Sequence, residues 1–473
     1  MSSRPRPEEA FVWIWLPGAT EPVAAGRLVR SGSTFLFHYG QSYLGRPDRI
    51  PIYLPELPLR PGLLPLPAGL IMPSAIRDSS PDAWGRRVII NRMTGLGGDK
   101  ADSVELDELT YLLESGSDRI GALDFQASPT DYEARLSHAP LAELLEAAER
   151  VEKGVPLTAE LGQALQHGTA LGGARPKAQI DDGTRKYIAK FSTSNDLYAV
   201  VKAEFLAMRL AAHAGLHVAP VKLARALGKD VLLVERFDRN HAGDSWNRRA
   251  MVSALTLLEL DEMLAAYAGY DLLADVIRHR FERPKESLRE LFSRLAFNIL
   301  CGNTDDHARN HAAFWDGATL TLTPAYDICP QSRTGGEASQ AMRILGERNL
   351  SRLDLCIEAA PKFQLSADEA KAIIAGQVDA IGNHWTATCD EAGLSPVDRN
   401  LFWGRQFLNP YAFEQGPADL NRPETAPALT GDACRRRATI GHPTAHCVAA
   451  ASLNVIRAST AAARSTGTRA DSG

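Results

Sequence analysis

Asn303-Thr304-Asp305-Asp306-His307-Ala308-Arg309-Asn310-His311, followed by Thr319-Leu320-Thr321-Leu322-Thr323 and then Pro324-Ala325-Tyr326-Asp327, is the stretch whose reading decides the fold. Apolar residues at 288, 291, 292, 295, 299 and 300 keep helical spacing up to its first residue, and 319–323 alternates as a strand does. Three aspartates and two asparagines therefore sit between a helix and a strand, where an uncompensated buried carboxylate is expensive. A metal ion would offset that cost. Asp305 and Asn310 stand five apart, the spacing between base and metal-binding asparagine in H-R-D-L-x-x-x-N, and Asp327 follows a strand as a second metal-binding aspartate does. One carboxylate in such a set takes the proton of an attacking hydroxyl, while an amide and another carboxylate hold magnesium against a triphosphate. Two other readings of the same residues stay open. One is a solvated loop after a helix; the other is a phosphohydrolase in which His307 and His311, four apart, bind a transition metal with a neighbouring aspartate.

Working backwards, Leu171-Gly172-Gly173-Ala174-Arg175-Pro176-Lys177 combines small residues, which let backbone N–H groups approach phosphate, with the charges of Arg175 and Lys177. It lacks the spacing of an NTPase P-loop, and a Gly-Gly pair is also an ordinary turn. Strand-like Ala178-Gln179-Ile180 and Lys186 to Phe191 flank Asp181-Asp182-Gly183-Thr184, a hairpin signature. Lys190 lies on the second of these strands, and Glu204 lies on a helix expected from Ala199 to Gly215. This is the order in which a phosphate-binding lysine and its orienting glutamate occur in kinases. Val231–Val234 reads as a buried strand, and Glu235-Arg236-Phe237-Asp238-Arg239 falls where a two-lobed kinase joins its lobes and contacts adenine. Glu235 and Phe237 are candidates for that contact by position only; a solvated charge cluster and plain packing are the alternatives.

The front of the chain is turn-rich and β-rich. Phe11–Trp15, Gly26–Arg30 and Thr34–Tyr39 read as strands, the last two around the turn Ser31-Gly32-Ser33. Recurrent prolines from 51 to 74 predict an ordered connection without regular structure, and Ser80 with Pro81 predicts a helix start. Leucines at 141, 144 and 145 mark a surface helix, and Ser366 with Glu369 has capping-box spacing ahead of a helix from Leu365 to Ile381. Beyond about 416 the chain is rich in Ala, Thr, Arg, Gly and Pro and carries Arg435-Arg436-Arg437, so it reads as a disordered tail.

With 473 residues, 45% of them hydrophobic, the chain has material for roughly three folding units. A net charge of −5 gives no bulk electrostatic demand for nucleic acid or membrane. The start, MSSRPRPEEAFVWIWLPG, has too short an apolar run for a membrane span, and two glutamates before that run disfavour a signal peptide. Six cysteines, with no CxxC pair, point to free thiols in a reduced, cytoplasmic setting.

Taken together, GGARPKA at 172–178, AKF at 189–191, VERFDR at 234–239, NTDDHARN at 303–310 and PAYDI at 324–328 strongly resemble the HipA-like serine/threonine kinases, toxins of bacterial type II toxin–antitoxin modules. RDSSPDAWGRR at 77–87 looks like that family's N-terminal portion, and the resemblance spans about 10–415. It implies an α+β, two-lobed protein-kinase-like fold with an N-terminal β-rich module (1–125), a nucleotide-binding lobe (140–240) and a mostly helical catalytic lobe (241–415). The resemblance further implies Asp305 as catalytic base, Asn310 and Asp327 as magnesium ligands, and Lys190, oriented by Glu204, on ATP phosphates. The 172–177 loop would cover the nucleotide, and Glu235 and Phe237 would form the adenine-contacting hinge. The implied partners are a small helix-turn-helix antitoxin that supplies most of the DNA contact and a protein substrate such as an aminoacyl-tRNA synthetase; no membrane is implied. An ATP-binding regulatory subunit without transfer activity is the alternative role. Well-known members autophosphorylate a serine just before the Gly-rich loop; this chain has Ala170 there, beside Thr169, which puts that form of self-inactivation in doubt.

Overall fold

Antiparallel pairing of Val23–Ser31 with Thr34–Tyr39 puts Ser31 opposite Thr34, so the predicted turn closes a hairpin. The computed structural model describes residues 6–96, 104, 106–135, 139–158, 161, 175–193, 196–333, 335–417, 420, 422, 423 and 425–427. In the N-terminal module, β1 (Glu9–Ile14), β2 (Val23–Ser31) and β3 (Thr34–Tyr39) are followed by helices α1 (Ala83–Thr94) and α2 (Glu108–Glu114) and by β4 (Leu123–Gln126). The sheet order is β3-β2-β1-β4. Ala10, Val12 and Ile14 alternate into the core, as do Phe35, Phe37 and Tyr39, the period-two pattern of a half-buried sheet. Gly26 is obligatory here: a Cβ would lie 2.2 Å from the His38 carbonyl oxygen and 2.7 Å from the Phe37 ring. The proline-rich connection is ordered by hydrogen bonds rather than by secondary structure, with the Tyr39 hydroxyl donating to the Leu57 carbonyl at 2.8 Å and accepting from the Ile52 N–H at 2.9 Å. One helix start differs from expectation. Asp82, not Ser80, caps α1, its carboxylate accepting from the Gly85 N–H at 2.8 Å.

After α3 (Leu141–Glu152) comes a second antiparallel sheet of β5 (Lys177–Asp181), β6 (Lys186–Phe191), β7 (Val221–Ala226) and β8 (Lys229–Glu235), in the order β5-β6-β8-β7. The Asp-Gly turn forms as predicted: Gly183 has φ +84°, and the Asp182 carboxylate accepts from the Thr184 and Arg185 N–H groups. Helix α4 (Val200–His213) packs between this sheet and the later helix Ala367–Glu391, so its buried residues run round most of its circumference rather than along one side.

The rest is mostly helical, as expected, built on α5 (Tyr270–Arg280), α6 (Pro284–Cys301) and α7 (Ala367–Glu391), the last opening with the predicted Ser366/Glu369 capping box. Short strands Ala250–Ser253, Ala312–Trp315 and Leu320–Leu322 form a three-stranded sheet, and Arg239–Ala242 pairs with Ser245–Arg248; of these only the 319–323 strand stood out in sequence. Among the described residues no helix is long and apolar enough to cross a membrane. The predicted tail lies outside the described residues from 428 onward.

Candidate active site

Helix α6 stops at Gly302, whose φ of +72° is the left-handed conformation of a helix C-terminus; a Cβ there would meet the Gln406 carbonyl oxygen at 2.6 Å. The chain turns out of the helix at that point, and the Asn303 N–H reaches back to the Asn298 carbonyl at 2.8 Å. The two adjacent aspartates then separate. Asp305 is exposed, whereas Asp306 is 3% exposed and takes hydrogen bonds from the Tyr270 hydroxyl and from His311 Nε2, the latter at 3.0 Å. A buried carboxylate needs such partners, and Asp306 thereby anchors the loop whose neighbour faces outward. A short 3-10 turn, Ala308–Asn310, brings Asn310 to the same side as Asp305.

Asp327 is delivered separately. Ala325 is bonded on both backbone groups to the segment after α4, through the His217 carbonyl at 2.7 Å and the Ala219 N–H at 2.9 Å. The Tyr326 hydroxyl donates to the Arg309 carbonyl at 2.8 Å, tying this turn to the 303–311 loop. Asp327 itself has φ +60°, an uncommon state for a residue with a Cβ and one that clusters at functional sites.

Lys190 Nζ lies 2.5 Å from Glu204 Oε1 and 2.5 Å from Asp327 Oδ1. Burial disfavours this ammonium, but Asp327 and Glu204 outweigh burial and hold its pKa above the ordinary lysine range. Burial likewise works against the Asp327 carboxylate, and Lys190 reverses it, leaving Asp327 below the usual aspartate range. Glu204 is raised by burial despite the pull of Lys190, with the charge of Asp327 adding to the rise. Asp305 is raised too: desolvation leads, His307 pulls back, and Asp327 and Asp306 push upward. The two cavity aspartates are thus driven in opposite directions, a pattern by which neighbouring carboxyls can take different roles.

A cavity of about 410 Å³ is lined by Arg175, Lys177, Lys190, Glu204, Asp305, Asn310 and Asp327. Seven of the sequence candidates therefore meet in one place. Gly172, Gly173, Ala174, Thr169 and Ala170 lie outside the described residues. Glu235 and Phe237 do not border the cavity. The Glu235 side chain pairs with Arg185 and its N–H donates to the Pro220 carbonyl, while Phe237 packs against Phe314 and Tyr326. Their side chains make an ion pair and aromatic packing contacts, and the expected adenine contact was one of backbone groups. The rest of that motif has a different task. Arg236 and Arg239, with Asp238, form a buried network with Asp118 of the N-terminal module, including Arg236 Nη1 to Asp118 Oδ1 at 3.1 Å and Arg239 Nε to the same oxygen at 2.9 Å. The histidine pair also separates: His307 lines the cavity, but His311 is turned into the core against Asp306, an arrangement that does not favour the phosphohydrolase reading.

Sequence reasoning missed Asn303, Asp196, Tyr198 and Gln331 in the lining. Asn303 stood inside the motif; Asp196, which pairs with Arg175, carried no signal beyond a polar turn. The donor set suits magnesium and a triphosphate. Asp327 and Asn310 are hard oxygen donors, few in number, as magnesium shared with phosphates requires, and Lys190, Lys177 and Arg175 supply cationic groups. Among the described residues no group of three or more His, Cys, Asp or Glu side chains is arranged to hold a metal ion.

Fold and cavity define a two-lobed, protein-kinase-like protein. Residues 16–126 match the family model for the HipA N-terminal domain, and residues 169–385 match that for the HipA-like C-terminal domain. The chain belongs to the HipA-like family. Its structure resembles one described as the Shewanella oneidensis toxin–antitoxin system HipA, HipB and operator DNA complex, with a TM-score of 0.60 and 18% identity over 83% of this chain and 93% of that one. "Putative kinase Y4mE" of Sinorhizobium fredii is 32% identical over 173 residues, 35% of this chain and 40% of that protein. The serine/threonine-protein kinase toxin HipA of Shewanella oneidensis is 27% identical over 158 residues, 30% of this chain and 36% of that protein. The chain thus spans less than half the length of these curated relatives in its matches.

Proposed function

We propose that this chain is an ATP-dependent serine/threonine protein kinase, the toxin of a type II toxin–antitoxin module, acting in the cytoplasm. The observation that carries this reading is the convergence of Asp305, Asn310, Asp327, Lys190 and Glu204, from four separate stretches of the sequence, on one cavity. Each has work to do there. Asp305, exposed to the cavity with a raised pKa, accepts the proton of the attacking serine or threonine hydroxyl as its oxygen bonds to the γ-phosphorus and ADP departs. Lys190, fixed by Glu204, binds the α- and β-phosphates, and Lys177 and Arg175 extend the cationic wall. Asn310 and Asp327 would hold magnesium, which when bound would neutralise charge on the triphosphate. Catalysis is mostly positioning and charge neutralisation, since the protein forms no covalent bond itself.

The three-part organisation serves this chemistry: the N-terminal module, the 140–240 lobe with the nucleotide, and the 241–415 lobe with the base and metal ligands. By family, the target is a translation component such as an aminoacyl-tRNA synthetase, and the partner is a helix-turn-helix antitoxin carrying most of the DNA contact. The relative solved with HipB and operator DNA supports that partnership.

The test is mass spectrometry of lysate proteins incubated with purified protein and ATP, with Asp305→Asn and Asp327→Ala alongside. New phosphoserine or phosphothreonine is expected on a small set of proteins with the wild type and with neither variant. Phosphorylation by either variant at the wild-type rate sinks the assignment. Magnesium-dependent ATP binding with no phosphoprotein from any form supports the regulatory, non-transferring alternative.

A further inference from the structure

The RDSSPDAWGRR motif belongs to the N-terminal module, yet it touches both lobes around the cavity. The Asp78 carboxylate accepts from the Ser253 N–H and hydroxyl, each at 2.7 Å, and from the Thr256 hydroxyl at 2.8 Å, which fixes it to the catalytic lobe. Four residues later, Asp82 reaches the other lobe. Its Oδ1 caps α1, leaving Oδ2 to accept from Lys177 Nζ at 2.9 Å. The pair is enclosed, with the Lys177 side chain 2% exposed and that of Asp82 13% exposed. Trp84 adds a second tie by donating its indole N–H to the Lys177 carbonyl at 3.2 Å. Lys177 is thus gripped at side chain and backbone by one short stretch of the N-terminal module while forming part of the cavity wall.

We infer that Asp82 is a positioning residue of the nucleotide site: it holds the Lys177 ammonium at the cavity wall, and the N-terminal module thereby sets the affinity for the triphosphate. An ammonium carries three donors, and the bond to Asp82 commits one of them while the side chain forms part of the cavity wall. A long flexible side chain fixed in this way loses less freedom when phosphate arrives. The inference rests on the nucleotide reading above and extends it to a residue outside both kinase lobes.

The test is calorimetric titration of the full chain with magnesium-ATP and, separately, with adenosine. Asp82→Asn is the informative variant because asparagine remains a good helix cap, so α1 is retained. It is expected to weaken ATP binding by about tenfold, the scale on which losing an orienting partner acts, and to leave adenosine binding unchanged. In a Lys177→Met background, Asp82→Asn should change ATP binding by less than about twofold, because the group it acts through is gone. Asp78→Asn, in the same loop, should not alter the preference for ATP over adenosine. ATP affinity within twofold of wild type in Asp82→Asn, independent effects in the double variant, or an equal loss for adenosine overturns the inference alone. Failure of the wild type to bind ATP overturns both the inference and the kinase reading.

Discussion

Lys190→Met deletes an ammonium shared by Glu204 and Asp327 while keeping most of the side-chain length, and its cost can be worked from the geometry. Removing one member of a buried ion pair costs about 3–5 kcal/mol, because the survivor stays desolvated without its counter-charge. The Glu204 side chain, 4% exposed, bears most of this; Asp327, 35% exposed, is screened by solvent and adds a smaller share. Without Lys190 both carboxyls resist ionisation in the folded state, so their folded pKa values rise above the unfolded ones. The sign follows from linkage. The destabilisation is full where both carboxyls must be charged, above the raised folded values, and it fades as pH falls towards the unfolded values near ~4. Urea denaturation at pH 8 should therefore show a loss of about 3–4 kcal/mol, and at pH 5 a clearly smaller one. Nucleotide binding should be lost at both pH values, since protonating Glu204 does not restore the cation. A penalty as large at pH 5 as at pH 8 would mean that Lys190 is not compensating buried negative charge, and the account of this triad would be wrong.

Two further outcomes are expected. Because desolvation and two neighbouring carboxylates raise Asp305, the acid limb of kcat should lie above the ordinary aspartate value of about 4, activity rising with pH as Asp305 loses its proton; Asp305→Glu should move that limb, and an unmoved limb assigns it to another group. Asp118→Ala should cost about 3–5 kcal/mol in chemical denaturation, because Arg236 and Arg239 lose a buried counter-ion, and a loss below about 1 kcal/mol would show that Asp238 suffices alone.

The parts of the fold that were legible in sequence are those fixed by neighbours in the chain. The Asp182-Gly183 turn and the Ser366/Glu369 cap form as read because each closes its hydrogen bonds within a few residues. The 303–311 loop was legible for a related reason: Asp305 and Asn310 lie on one short segment, and their spacing carries the geometry. What stayed hidden depends on distant partners. Ser80 and Asp82 are both competent helix caps, and Pro81 favours the first; Lys177, ninety-five residues after Asp82, helps hold the second in place. Arg236 and Arg239 read as a solvated cluster or a hinge until Asp118, more than a hundred residues earlier, supplies the charge that lets them be buried. His307 and His311 looked like a metal pair because four-residue spacing suits a continuous helix, and the chain there is a 3-10 turn leading into an extended residue.

The Asp118 network has a consequence for how relatives of this protein can be recombined. The two family models meet this chain as separate segments, but their boundary runs through a buried charge cluster that neither half completes. A chimera joining the front of one relative to the back of another is therefore expected to be markedly less stable unless the incoming front carries a carboxylate where Asp118 lies. A chain shortened to begin after residue 126 would open two guanidinium groups and the floor beneath them to water. Swapping these halves is a matter of matching lock and key, not of finding a permissive linker.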